Sequence, residues 1–166
     1  KSSTTDIFQK IKKVGHEIFG VLSPEEADSR LTYDLNSSIA AKHGQYVTLG
    51  ISSWNYTGGA HGNGYSAYHV FDCEKDSLIK VHDYIIRENE LINLIKDELR
   101  VYAGGEPGES LSELGFESVG VSANILISDT EVEFQYNAYE IGPYALGAPS
   151  VSFPIEEMRR FFRLNI

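Results

Sequence analysis

Between Leu31 and Phe71 the hydrophobic period is two, and this constrains the fold more than any other feature of the chain. Leu31, Tyr33, Leu35, Ile39 and Ala41 alternate with polar residues, and Val47, Leu49 and Ile51 resume the alternation after His43-Gly44. Successive strand side chains point to opposite faces, so this pattern predicts an antiparallel hairpin. A third strand is expected over about 64–72, with Tyr65, Ala67, His69 and Phe71 on one face and Tyr68 and Val70 on the other. It follows a loop in which five of nine residues are Gly or Ala, Tyr56-Thr57-Gly58-Gly59-Ala60-His61-Gly62-Asn63-Gly64. Glycine at this density marks a loop of defined shape, with backbone at positive φ or in close approach to a neighbour.

The rest of the chain switches between helical and strand periods. Ile7, Ile11, Val14 and Ile18 fall on one face of a predicted helix over 5–20, with Thr5 or Asp6 as cap and Gly20 as stop; Ser23-Pro24-Glu25-Glu26 opens a short second helix. Cys73 to Ser77 reads as a polar turn. A helix opening at Asp83 or Asn89 and running to about Tyr102 carries Leu91, Leu94 or Ile95, and Leu99 on one side. The acidic, Gly-rich stretch that follows, to about 120, is expected to be a surface loop. Residues 124–128 and 132–136 form a second hairpin, Val151 and Phe153 a last strand, and a final helix starts near Pro154. Its acids lie at the positive end and its arginines at the negative end. The expected fold is α+β, a single domain over 1–166, with a mainly antiparallel sheet and helices packed on it. It comprises a helical part over 5–30 and a strand-rich part over 31–166 with one central and one C-terminal helix.

Composition narrows the partners. Fourteen basic and 24 acidic residues give a formal charge of −10, which argues against nucleic acid or an anionic membrane and suits a cationic partner. A single cysteine, Cys73, leaves no internal disulfide or multi-cysteine zinc site. No apolar run reaches the roughly 18 residues of a membrane span. The chain begins at Lys1, as expected of a fragment or processed product, so the absence of a signal peptide carries no information.

The motifs taken together resemble a known family. They are Tyr56 to Gly62, Phe71-Asp72 opening a turn, Val81-His82-Asp83-Tyr84-Ile85 leading into a helix, Tyr139 to Gly147, and Val151-Ser152-Phe153-Pro154. The chain resembles, over residues 5 to 163, the extracytoplasmic domain of unknown function in the sensor half of lysozyme-binding anti-sigma factors. A similar domain forms the non-catalytic N-terminal half of certain peptidoglycan deacetylases. The resemblance implies the fold, an extracytoplasmic location (periplasmic, secreted or lipid-anchored) and recognition of wall material or wall enzymes. The turn at Cys73–Ser77 departs from the family's Gly-containing turn. No sigma-binding segment is present, so a signalling role is not implied.

The candidate ligand-binding residues are Trp54, Tyr56, Thr57, His61, Asn63, Tyr139, Glu140 and Tyr144. His61 either reaches a ligand while titrating near neutral pH, or bonds a carbonyl or Glu140 and locks two turns together. Glu140, between apolar and aromatic neighbours, is expected to be largely buried and to need a partner such as His61, Tyr56 or Tyr144. Trp54 and Tyr56 share one strand face beside the loop, either as exposed aromatics or as a second layer of core. A His61–His69–Asp72 metal site has no supporting spacing, no Gly-x-Ser-x-Gly elbow is present, and the glycines lack the Lys-Ser/Thr of a phosphate loop. Neither a catalytic residue, a metal site nor a cofactor is assigned. The expected function is a non-enzymatic binding or sensor-type domain for a cationic, lysozyme-like protein or peptidoglycan. The alternative is a small wall-directed hydrolase using His61 and Glu140.

Overall fold

A computed structural model describes residues 32–56 and 60–166. The expected helices at 5–20 and from Ser23 lie outside the described residues, as does Thr57.

The fold is α+β with antiparallel pairing, as expected, and its strands divide between two sheets. The first has the order β1-β2-β3-β4, with β1 Thr32–His43, β2 Tyr46–Tyr56, β3 Asn63–Asp72 and β4 Ser77–Ile79. The β1–β2 turn falls at Gly44, which takes φ 53°, and the register runs from His43 opposite Tyr46 to Thr32 opposite Tyr56. A bulge between Ile39 and Ala41 shifts the alternation of β1 by one residue. The second sheet, β5-β6-β7, comprises Ile125–Ile127, Glu131–Gln135 and Ser150–Pro154. Both hairpins and the last strand therefore lie where the sequence pattern predicts them.

Helix α1, Glu88–Tyr102, buries Leu91, Ile95 and Leu99 completely. The choice left open at 94/95 is settled for Ile95, one turn from each of the other two. Of the two expected starts, Asn89 lies in the first turn of α1, which begins after Arg87, whose left-handed backbone (φ 55°) re-aims the chain; Asp83 belongs to a separate 3-10 turn, Val81–Tyr84. Helix α2, Ile155–Met158, is a single turn running into a 3-10 turn at Arg159–Phe161. Arg159 and Arg160 pair with Glu156 and Glu157, three residues back. The core joins α1, Phe116, Ile125, Ile127, Val132, Phe134, Tyr136, Met158 and Phe161. Strand β6 shows why: Val132 and Phe134 are fully buried while Glu131, Glu133 and Gln135 alternate outward.

The sheets meet through side chains that seal each other's backbone edges. Strand β5 lies at an edge of its sheet, and the buried Thr48 hydroxyl donates to the Ile127 carbonyl at 3.2 Å and accepts from the Ile127 N–H at 3.3 Å. Strand β4 pairs only with Val70–Asp72, so the outer edge of β3 before Val70 lacks a strand partner. Asn124 and Asn137 supply one. An unpaired edge invites pairing with other chains, and these contacts remove it. His43 Nδ1, 3.0 Å from Asp129, links the two hairpin turns.

The stretch after α1 is more than a solvated loop. It is exposed at Glu106, Glu113 and Glu117, but Glu109 is half-buried, Phe116 is buried and Leu111 and Leu114 pack on the core. Arg100 Nε donates to the Glu109 carbonyl at 2.8 Å, and the Glu109 carboxylate accepts the Glu106 N–H at 2.9 Å.

Candidate functional site

The turn after β6 brings the second aromatic motif to the glycine loop. Asn137 holds it there: its carboxamide oxygen accepts the Ser66 N–H at 2.7 Å and its nitrogen donates to the Ser66 carbonyl at 3.0 Å. Tyr139 takes φ 70°, an uncommon conformation for an aromatic residue, and this sends the chain back toward the loop. The Tyr144–Leu146 turn then places the Tyr144 ring flat on the His61 imidazole, with centroids 4.0 Å apart and 17° between planes. Tyr139 adds a third ring, 5.4 Å from Tyr144 and tilted by 38°. The Tyr144 hydroxyl donates to the Gly62 carbonyl at 3.3 Å, and His61 Nδ1 lies 3.0 Å from the same oxygen.

Gly62 is required by the fit of this loop. A Cβ there would lie 2.4 Å from Trp54 Cζ2 and 2.8 Å from the Asn55 carbonyl oxygen, so the loop backbone rests directly on the indole. Trp54, opposite Gly64 on β3, stays 43 % exposed. Tyr139 is 61 % and Tyr144 38 % exposed, and His61 is exposed as well. Three rings stacked on the outside of a protein form a surface and add nothing to the core.

The structure brings His61, Tyr139 and Tyr144 together and sets Trp54 under the same loop. Tyr56 ends β2 half-buried, and Asn63 starts β3 exposed, opposite Asn55. Glu140 corrects the sequence reading. It is exposed, and its carboxylate accepts the Asn137 N–H at 2.8 Å within its own turn. A short carboxylate arm three residues from a free N–H closes locally before it can reach across to His61. His61 and Glu140 thus engage different partners and form no acid–base couple. His69 and Asp72 also part company. Asp72 is buried, accepting from Gln45 Nε2 (2.9 Å), Glu74 N (3.0 Å) and Lys75 N (3.1 Å), with Lys75 Nζ at 3.4 Å. Burial alone would raise its pKa, but these donors outweigh burial and hold it below the ordinary carboxylate value. His69 is on the opposite face, its pKa lowered by burial.

The acidic stretch adjoins this turn. The Glu117 N–H donates to the Ile141 carbonyl at 3.0 Å, and a Cβ on Gly142 would lie 2.8 Å from the Gly115 carbonyl. The Tyr102 hydroxyl donates to the Leu146 carbonyl at 3.1 Å and fixes the far end. Asn124 and Asn137, on which the placement depends, went unremarked in the sequence reading. Their only signal is an Asn at each end of the second hairpin, a pattern that reads equally as ordinary turn chemistry.

Residues 79–156 match the family model described as a protein of unknown function, DUF3298. The fold is that of solved DUF3298 structures. One, a family member from Bacteroides fragilis NCTC 9343, superposes with a TM-score of 0.71 at 20 % identity over 96 % of this chain. Another, from Pseudomonas aeruginosa PAO1, superposes with a TM-score of 0.64 at 18 % identity over 85 % of this chain. This chain spans 64 % of the length of the first and 66 % of the second. No curated protein matches its sequence. Neither the family's description nor the names of the two solved proteins give a ligand or a reaction.

Proposed function

We propose that this is an envelope-located, non-enzymatic binding domain whose recognition surface is the His61–Tyr144–Tyr139 stack with the adjoining acidic stretch 104–118, and whose partner is a cationic, lysozyme-like protein. The observation that carries this reading is the stack itself: three exposed rings held by backbone contacts beside exposed carboxylates. Aromatic faces and carboxylates side by side suit arginine and lysine side chains, through cation–π contact and charge pairing respectively. The formal charge of −10 favours encounter with a basic protein. The extracytoplasmic location follows from the same resemblance and is part of the proposal.

The stack also supports a second reading, in which the ligand is a glycan strand of peptidoglycan lying on the ring faces. Calorimetric titration separates the two. Saturable heat with a cationic lysozyme, weakening as salt rises and lost in Tyr144→Ala, supports the first. Salt-insensitive binding of soluble peptidoglycan fragments, with no heat from lysozyme, supports the second. Silence with both ligands overturns the binding role.

A further inference from the structure

Strand β1 is the outermost strand of the first sheet. Among the described residues, no backbone hydrogen bond beyond its ladder with β2 involves Thr32–His43. Residues 32–40 are exposed at every position, on both faces, and Tyr33, Leu35 and Ile39 are 39–49 % exposed. An outer strand of this kind presents a row of backbone N–H and C=O groups to any further strand. The usual guards against pairing are sparse. The stretch Tyr33–Ile39 holds no proline, no lysine and one charge, Asp34; the bulge between Ile39 and Ala41, and Lys42, come only at its end.

We propose that this edge pairs with the same edge of a second copy of the chain, antiparallel about a twofold axis at Asn36, so that the two four-stranded sheets become one. Strand addition at an open edge is a general mode of recognition, and a twofold contact requires a self-complementary surface. The β1 edge meets that requirement. Asn36 is the midpoint of the regular stretch Tyr33–Ile39, beyond which the bulge breaks the register. An axis normal to the sheet keeps like faces together. Tyr33 of each copy then lies opposite Ile39 of the other, an aromatic–β-branched cross-strand pair formed twice. Asp34 lies opposite Ser38, whose hydroxyl can donate to the carboxylate, and Leu35 lies opposite Ser37.

Charge permits the contact. The total of −10 opposes the approach of two copies, but Asp34 and Lys42 balance within β1. In this register the two Asp34 side chains are four residues apart along the strands, roughly 14 Å, which exceeds the screening length of about 8 Å at physiological salt. A partner of another kind would have to supply the same alternation, apolar opposite Tyr33 and Ile39 and polar between them, which a second copy carries already.

Sedimentation equilibrium of the full chain from about 10 to 500 μM tests the association. A reversible monomer–dimer equilibrium is expected, weakened about tenfold or more by Ile39→Lys, which puts a charge on the edge at an exposed position. A monomer at all concentrations overturns the proposal, and so does a dimer indifferent to Ile39→Lys or association that continues past the dimer. Disulfide trapping in a Cys73→Ser background fixes the register. Directly opposed Cα atoms of an antiparallel pair lie about 4.5–5.5 Å apart, within reach of a disulfide. Asn36→Cys should therefore cross-link to itself, and Asp34→Cys should cross-link to Ser38→Cys when the two are mixed. Ser38→Cys alone, roughly 14 Å from its counterpart, should not. No trapping of Asn36→Cys, or equal trapping of Asn36→Cys and Ser38→Cys, overturns the pairing.

Discussion

Asn124 and Asn137 converge on one backbone residue: each donates its carboxamide N–H to the Ser66 carbonyl, at 2.9 and 3.0 Å. Asn124 also accepts the Tyr68 N–H at 2.6 Å, and Asn137 accepts the Ser66 N–H at 2.7 Å. Two side chains from the second sheet thus stand in for the strand that β3 lacks. The same pair sets the height of the aromatic turn above the glycine loop.

Truncating either asparagine leaves half-buried backbone groups without partners. Asn124→Ala and Asn137→Ala should each cost about 1–3 kcal/mol of stability in urea unfolding. The double variant should depart from additivity, because both residues serve Ser66. Costs below about 0.5 kcal/mol in both would show that water replaces the carboxamides without penalty.

Gly62→Ala tests the contact with Trp54. The added methyl forces the loop off the indole, so Trp54 emission should shift and binding through the stack should fall by about tenfold or more, as expected when an aromatic anchor is misplaced. An unshifted emission spectrum with binding intact would place the recognition surface elsewhere. Tyr144→Ala, by contrast, removes a ring 38 % exposed and should change stability by less than about 1 kcal/mol.

Asp72 makes the fold sensitive to acid. Its folded pKa is depressed, so its contribution is complete above the unfolded carboxylate value near 3.8 and is lost as pH falls through the lower folded value. Asp72→Asn should therefore be less stable than the parent at pH 7, with the difference shrinking as pH falls below that value. Urea midpoints at pH 7 and at acid pH measure this. A difference independent of pH would mean that the carboxylate's charge is not what the turn uses.

His69 acts at higher pH with the opposite group chemistry. Burial favours its neutral form, so its folded pKa lies below 6.5 and protonation favours unfolding. Stability is full above the unfolded value near 6.5 and declines as pH falls from there toward the folded value. His69→Gln should flatten that part of the profile, seen as a melting temperature that no longer drops between neutral and mildly acid pH. An unaltered slope would assign the effect to another histidine.

Local pattern was enough for most of the strands and for α1. Period-two alternation marks the strands because a strand with one buried face must alternate, and β6 does so at every residue. The i, i+4, i+8 spacing of Leu91, Ile95 and Leu99 marks α1 for the same reason at a different period. The stops were less legible. Arg87 ends one turn and opens α1 through a left-handed backbone that nothing in its side chain announces.

Local sequence sets every described strand but β4, helix α1 and the supply of aromatics near the glycine-rich loop, because each depends on neighbours a few residues away. Tertiary structure alone decided that the strands divide between two sheets, that Glu140 turns to Asn137 while His61 stacks on Tyr144, and that Phe116 anchors an otherwise acidic stretch. Those outcomes depend on partners far along the chain: 83 positions separate His61 from Tyr144. A period in the sequence reports which face of an element is buried and leaves open which distant residue will meet it.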